Sequence, residues 1–118
     1  MANDFKRFCV PDVGTSLTTL YGVPAGSGSA ALESIVIGIT MANKSTSGIT
    51  ASIFIDNEDG SNDVYIVKDA NIPAGASLEV MSGNKLVLMN DGTNADNLEG
   101  IASATSSLDV TVSVLEDV

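Results

Sequence analysis

The segment near the C-terminus alternates apolar and polar residues, and this alternation limits the fold more than any other feature of the chain. Residues 108–114 place an apolar side chain at every second position. The apolar members are Leu108, Val110, Val112 and Val114. A period of two puts successive side chains on opposite faces of a strand, whereas a helix requires a period near 3.6. The segment is therefore predicted to be a half-buried β-strand with its apolar face on a core.

The same period recurs along the chain. Residues 35–42 predict a long strand whose large side chains share one face: Ile35, Ile37, Ile39 and Met41. Residues 50–56 predict another strand. Shorter strands are predicted at residues 5–10, 16–21, 64–68, 77–81, 85–89 and 98–102. No segment carries an apolar stripe with helical spacing, so no helix is predicted.

Polar links separate these strands. Residues 43–48 are predicted to turn between the two strands of a central hairpin, and residues 56–63 to link the next two strands. Residues 82–84 are predicted to join a further pair. An apolar-Pro-Ala-Gly pattern occurs twice, at residues 23–26 and 72–75. Its proline suits the second position of a type I turn, and its glycine accepts the left-handed conformation that follows.

Strand number and turn density define the predicted fold. Eight or nine short strands without helices predict an all-β protein, an antiparallel β-sandwich with a jelly-roll or immunoglobulin-like topology. A chain of 118 residues has the size of one such domain. Residues 1–118 are therefore predicted to form a single β-sandwich domain.

The charge balance excludes several classes of function. The chain has 15 acidic and 5 basic residues, a formal net charge of −10, and neither histidine nor tryptophan. Nucleic acids and anionic membranes attract clustered lysine and arginine, so we expect neither as a partner. The lack of histidine removes imidazole from catalysis and metal binding. A polar N-terminus and the lack of an apolar run of ~18 residues predict synthesis in the cytoplasm without a membrane anchor.

The remaining groups do not assemble a catalytic site. Cys9 is the only cysteine, and its neighbours Phe8 and Val10 predict a buried, unreactive thiol. The acidic residues at 56–63 do not match an EF-hand, because alignment on Gly60 places isoleucine at the first and last ligand positions. We therefore predict no enzymatic activity, no catalytic residues, no cofactor and no metal ligands, with a calcium loop of another type as the open alternative.

The composition offers a surface for assembly instead. Leu115 interrupts the polar face of the last strand, and Leu17, Leu20 and Tyr21 add apolar area. Burial in the core explains each of them singly. Together they predict a homo-oligomer whose interface also covers sheet edges.

The first predicted strand contains a second indication of an interaction surface. Lys6 and Arg7 are two of the five basic residues in an acidic chain, and they lie between Phe5 and Phe8. We predict that Phe5, Lys6, Arg7 and Phe8 bind a more acidic partner surface. The alternative is an ordinary first strand with solvated bases.

Several segments resemble small structural proteins of tailed phages, most closely those of marine and freshwater cyanophages. The similar segments are LYGVPAG at 20–26, IVIGITMAN at 35–43, VKDANIPAGASLEV at 67–80 and LDVTVSVLE at 108–116. The similarity extends over nearly the whole chain, from Leu17 to Glu116. It departs at Gly22, where threonine is usual, and at residues 26–33, which form a longer stretch than usual.

The resemblance implies a virion component without enzymatic function. One role it implies is a capsid decoration or cement protein that bridges neighbouring capsomers. The alternative is a tail, neck or baseplate accessory subunit, or an adaptor for a receptor-binding fibre. Its partners would be the major capsid protein or tail proteins, and a trimer would suit either location. A carbohydrate-binding module is a third function, which the scarcity of aromatic residues disfavours.

Overall fold

The computed structural model describes residues 3–24, 32–56, 63–80 and 85–117. Nine strands occur in these ranges, and no helix does. The strands are β1 (Asn3–Val13), β2 (Thr18–Gly22), β3 (Leu32–Asn43), β4 (Ile49–Asp56), β5 (Asp63–Ile72), β6 (Ser77–Glu79), β7 (Leu86–Asn90), β8 (Asn97–Ala102) and β9 (Leu108–Asp117). All nine lie at positions predicted from the sequence, although β1, β3, β5 and β9 each have at least 10 residues and are longer than predicted.

The strands form two antiparallel sheets that enclose the core. The first sheet has the order β1-β9-β3, and β6 and β7 pair with successive parts of the free edge of β3. The second sheet has the order β2-β8-β4-β5. This order is that of a jelly roll in which β6 and β7 share one of the eight strand positions, whereas an immunoglobulin fold pairs its first two strands. The predicted antiparallel β-sandwich is confirmed, and its topology is the jelly roll.

The predicted central hairpin is wrong. β3 lies in the first sheet and β4 in the second, so residues 44–48 cross from one sheet to the other. β4 and β5 do form an antiparallel pair, but their link at residues 57–62 lies outside the described residues. Residues 25–26 of the first apolar-Pro-Ala-Gly pattern and residues 82–84 also lie outside them. A turn signal shows where the chain changes direction, but it does not show which sheet the next strand joins.

The core follows the alternation of β9. Leu108, Val110, Val112 and Val114 are all buried, as predicted. They belong to one apolar cluster with side chains of the second sheet such as Ile53. Burying one aliphatic side chain of this size contributes about 1.5–3 kcal/mol to folding, so the inner face of β9 is a major source of stability.

A β-bulge in β3 corrects the predicted face of that strand. The register against β9 shifts between Val36 and Gly38, which makes Ile37 an extra residue. One extra residue reverses the direction of the side chains that follow it. Val36 and Ile39 are therefore both buried, whereas Ile37 is 39% exposed. Ile35 and Ile37, predicted on the same face as Ile39, point away from the core.

The second apolar-Pro-Ala-Gly pattern forms a turn of a different type from the predicted one. The amide of Ala76 donates to the carbonyl of Pro73 at 3.0 Å, so proline occupies the first position of the turn and not the second. Gly75 occupies the third position with φ 72°. A positive φ there is the mark of a type II turn and favours glycine.

Asn43 ties this turn to the crossing between the sheets. It is buried, and its side-chain amide donates to the carbonyls of Ser47 and Ile72, each at 2.9 Å. Its side-chain oxygen accepts from the amide of Ser45 at 2.9 Å. Its backbone amide donates to the carbonyl of Ala76 at 2.9 Å. One side chain thus links the two connections, and its bond to the Ile72 carbonyl lies in the interior, where polar groups need partners.

We expect Asn43→Ala to lower the free energy of unfolding by about 2–4 kcal/mol, because it removes the hydrogen bonds that link the two connections, including the one to the buried carbonyl of Ile72. Urea denaturation followed by circular dichroism measures the loss. Thr46→Ala is the control, since Thr46 is exposed on the same connection and should change stability by about 0.5 kcal/mol or less. Equal effects of the two substitutions would contradict this role of Asn43.

A cluster of charges holds the bulge of β1 against β9. The register of these strands shifts between Val10 and Val13, and Asp12 within the shift has φ 59°. Lys44 pairs with Asp12 and, at 2.9 Å, with Asp109. The hydrogen bond from Lys44, opposed in part by desolvation, lowers the pKa of Asp109 below its ordinary 3.8, and the amide of Asp12 acts in the same direction.

This depressed pKa predicts an acid-dependent contribution to stability. Because Asp109 binds its proton less readily in the folded chain, the stabilisation is present above its unfolded pKa and is lost as the pH falls through the lower folded value. We expect Lys44→Met to reduce the loss of unfolding free energy between about pH 5 and pH 2. Urea titrations across that range measure the slope. Lys68→Met removes the same charge at an exposed position of the second sheet, and its slope should stay closer to that of the unsubstituted chain.

Candidate interaction surface

The described residues contain no grouping suited to metal binding. No three or more cysteine, aspartate or glutamate side chains converge in this part of the chain. The described ranges also contain no helix long and apolar enough to cross a membrane. Of the two acidic stretches in the sequence, residues 57–62 lie outside the described residues, and residues 90–96 can be followed in full.

In the loop at residues 90–96, side-chain oxygens bind backbone amides. The carboxylate of Asp91 accepts from Asn94 at 2.7 Å and from Thr93 at 2.8 Å, and these bonds lower the pKa of Asp91. The side-chain oxygen of Asn90 accepts from the amide of Gly92 at 2.8 Å. Such bonds are the local turns that Asn and Asp form in preference to regular structure. The acidic and amide groups of this loop therefore shape the loop itself.

Behind the first sheet lies a buried polar cluster. The hydroxyl of Tyr21 donates to Glu116 at 2.5 Å and lies 2.8 Å from the hydroxyl of Ser34. Lys6 forms a salt bridge with the other carboxylate oxygen of Glu116 at 2.9 Å. Burial and then the bond to Glu116 raise the pKa of Tyr21 well above its ordinary 10.0, so the phenol remains a donor. The cluster joins β1, β2 and β3 to β9 and neutralises a buried carboxylate.

The four residues predicted to bind a partner lie on opposite faces of β1. Lys6 points inward to Glu116, and the ring of Phe8 lies 4.9 Å from that of Tyr21. Phe5 is 77% exposed, and Arg7 is exposed on the same outer face. The structure therefore brings Phe5 and Arg7 together on one surface and places Lys6 and Phe8 behind it.

The outer face of the first sheet carries a continuous row of apolar side chains across four strands. Phe5 of β1 faces Leu115 of β9, Leu115 faces Ile35 of β3, and Ile35 faces Val87 of β7. We call these four residues the apolar row. Its outer members are the more exposed, with Phe5 at 77% and Val87 at 55%. Side chains at facing positions of neighbouring strands are about 5 Å apart, so the row is one contiguous surface.

Residues on either side of the apolar row carry opposite charges. Two residues further along in one direction lie Arg7 of β1, Ser113 of β9 and Ile37 of β3, and Lys85 directly precedes β7 on the same side. Arg7 and Lys85, at the two ends of this line, form no ion pair with another described residue, whereas Lys6, Lys44 and Lys68 all do. In the opposite direction Glu33 faces Met89, and both are exposed.

Two further predictions about the surface are wrong. Cys9 is exposed and not buried, because Phe8 and Val10 take the inward positions of β1 and leave Cys9 on the outer face. Leu20 and Tyr21 belong to the core and add nothing to the surface, although Leu17 is 60% exposed. In both cases a local apolar run did not show which of its members face inward.

Two members of the apolar row can be recognised in the sequence: Leu115 interrupts a polar face, and Phe5 lies beside two basic residues. The alternation of β3 predicts Ile35 on the same face as Ile39, and the local pattern around Val87 does not distinguish it from its neighbours. The four residues come from distant parts of the chain, so only the strand register reveals that they are adjacent.

Comparisons with known proteins bear on the fold. No protein-family model and no curated protein matches the sequence. A chain of the T13 particle of infectious bursal disease virus is similar in structure, with a TM-score of 0.51 at 11% identity, over 96% of this chain and 31% of that one. Chains from the Gt and Gx strains of the same virus have TM-scores of 0.45 and 0.43 at 15% and 14% identity, over 30% and 33% of their lengths.

At such low identity the likeness concerns the fold alone. This chain spans about a third of the length of the chains it matches. The protein is thus a jelly-roll β-sandwich, and the apolar row crosses the outer face of its first sheet.

Proposed function

We propose that this chain is a non-enzymatic structural protein of a tailed-phage particle, a single β-sandwich domain that binds the assembled capsid as a decoration or cement protein. It is synthesised in the host cytoplasm and resides in the virion. Its partners are other virion proteins, the major capsid protein first among them.

The observation that carries this proposal is the jelly-roll fold shared with a chain of a viral particle over 96% of the residues. A jelly roll presents flat sheet faces, and most of its sheet edges are unprotected. Both features suit repeated contacts in an assembly. The segments that resemble phage structural proteins supply the finer assignment to tailed phages. They include the buried strand at 108–116 and the turn at 72–75, which are elements of the scaffold.

The distribution of polar groups supports a structural role. In the buried cluster Lys6 neutralises Glu116 and Tyr21 donates to it, and the described acidic loop binds its own backbone. Phe5 and Val87 of the apolar row, in contrast, are 77% and 55% exposed. A surface of this kind stabilises the protein only when another molecule covers it.

Copy number in purified particles tests the location. For a capsid decoration we expect hundreds of copies per particle, because such a protein repeats with the capsid lattice. Quantitative mass spectrometry against the major capsid protein measures the ratio. A few to a few dozen copies would assign the chain to the tail, neck or baseplate instead and overturn the capsid role. Absence from the particle would overturn the virion assignment altogether.

A further inference from the structure

We propose that the outer face of the first sheet binds a second copy of this chain in a two-fold symmetric dimer, with the two sheets packed face to face. This inference goes beyond the virion role, because it concerns the isolated chain. The occupant follows from the charges that flank the apolar row. Arg7 and Lys85 lie on one side of the row and Glu33 on the other. Two copies of this face can therefore supply both the cation and the carboxylate of an ion pair between them.

The position of the two-fold axis follows from these charges. An axis along the apolar row stacks the row of one copy on the same row of its partner and exchanges the two sides. Glu33 then approaches the side on which the partner's Lys85 lies. An axis parallel to the strands would instead set Arg7 over the partner's Lys85, which places like charges together. Only the first arrangement is self-complementary, as a two-fold interface must be.

The dimensions of stacked sheets allow these contacts. Face-to-face sheets lie about 10 Å apart, and neighbouring strands about 4.8 Å apart. In the dimer Glu33 lies over the partner's β3, one strand from the partner's Lys85, within reach of two long side chains. Within one chain the same two residues are four positions apart along paired strands, or about 13 Å. The contact is therefore available between copies and not within one.

Small residues beside the row permit close approach. Gly38 has no atom within 4 Å of the position that a side chain would occupy, and Ser113 faces it from β9. The bulge at Ile37 adds apolar surface on the same side, where this residue is 39% exposed. The apolar side chains of the second copy thus meet a face without bulky obstacles.

The size of the face sets the strength of the dimer. Four strands span roughly 15 Å across the sheet. The apolar row and the residues on its two sides span a similar length along the strands, so the face is smaller than the ~800 Å² per partner of a standard interface. The net charge of −10 on each copy adds repulsion. We therefore expect a dimer that dissociates on dilution. A trimer, which would suit either location in the virion, would not bring two identical faces together in this way.

Sedimentation velocity over a range of protein concentrations tests whether the chain dimerises through the outer face of the first sheet. We expect the unsubstituted chain to pass from monomer to dimer with rising concentration, and Val87→Ser to raise the dissociation constant by about tenfold or more. Val64→Ser is the matched control, because Val64 is 51% exposed on the second sheet and Val87 is 55% exposed. A chain that stays monomeric throughout, or equal effects of the two substitutions, would overturn the proposal.

A mixing experiment tests the axis. Glu33→Lys alone and Lys85→Glu alone each place like charges across the interface, so each should weaken dimerisation by about threefold to tenfold. In an equimolar mixture both contacts of the mixed dimer join opposite charges, and dimerisation should return to the level of the unsubstituted chain. Circular dichroism confirms that each variant is folded. A mixture no stronger than its components would overturn the proposed geometry. These assays use the purified chain, so their outcome is separate from that of the particle measurement.

Discussion

The placement of β9 between β1 and β3 is the constraint on which the rest of the molecule depends. Antiparallel pairing on both sides fixes which residues of three strands are neighbours. On the inner side it aligns the four fully buried apolar residues of β9 with the core. On the outer side the same register sets Leu115 between Phe5 and Ile35. The core and the apolar row are two consequences of one set of backbone hydrogen bonds, since side chains alternate between the faces of a strand.

Charge is handled differently on the two faces of the first sheet. Behind it, Lys6 neutralises Glu116 and Tyr21 donates to the same carboxylate, because an uncompensated charge in the interior is costly. In front of it, Arg7 and Lys85 have no such partner among the described residues. In a chain with three times as many acids as bases, two cations at the ends of an apolar row favour contact with another acidic molecule, and a second copy of the chain is such a molecule.

Much of the fold was predictable because period-two alternation is a local property. Every strand was located, and the inner face of β9 was assigned correctly. The errors have separate causes. The bulge at Ile37 puts Ile35 and Ile39 on opposite faces of β3, and the regular alternation of β1 puts Cys9 outside between Phe8 and Val10. The polar residues after Asn43 indicate a turn both in a hairpin and in a crossing between sheets, so they do not distinguish the two. The interaction surface was the least predictable part, because its members are brought together only by pairing between distant strands.

The sequence by itself determined that this protein is built from strands, that it is acidic, and that it lacks the imidazole group of common catalytic sites. These properties depend on residue type and on spacing along the chain, which can be read without coordinates. The tertiary structure decided the jelly-roll order, the partners of Asn43 and Glu116, and the adjacency of Phe5, Leu115, Ile35 and Val87. The physical reason is that strand register couples residues more than 100 positions apart, such as Phe5 and Leu115, and no local pattern records that coupling.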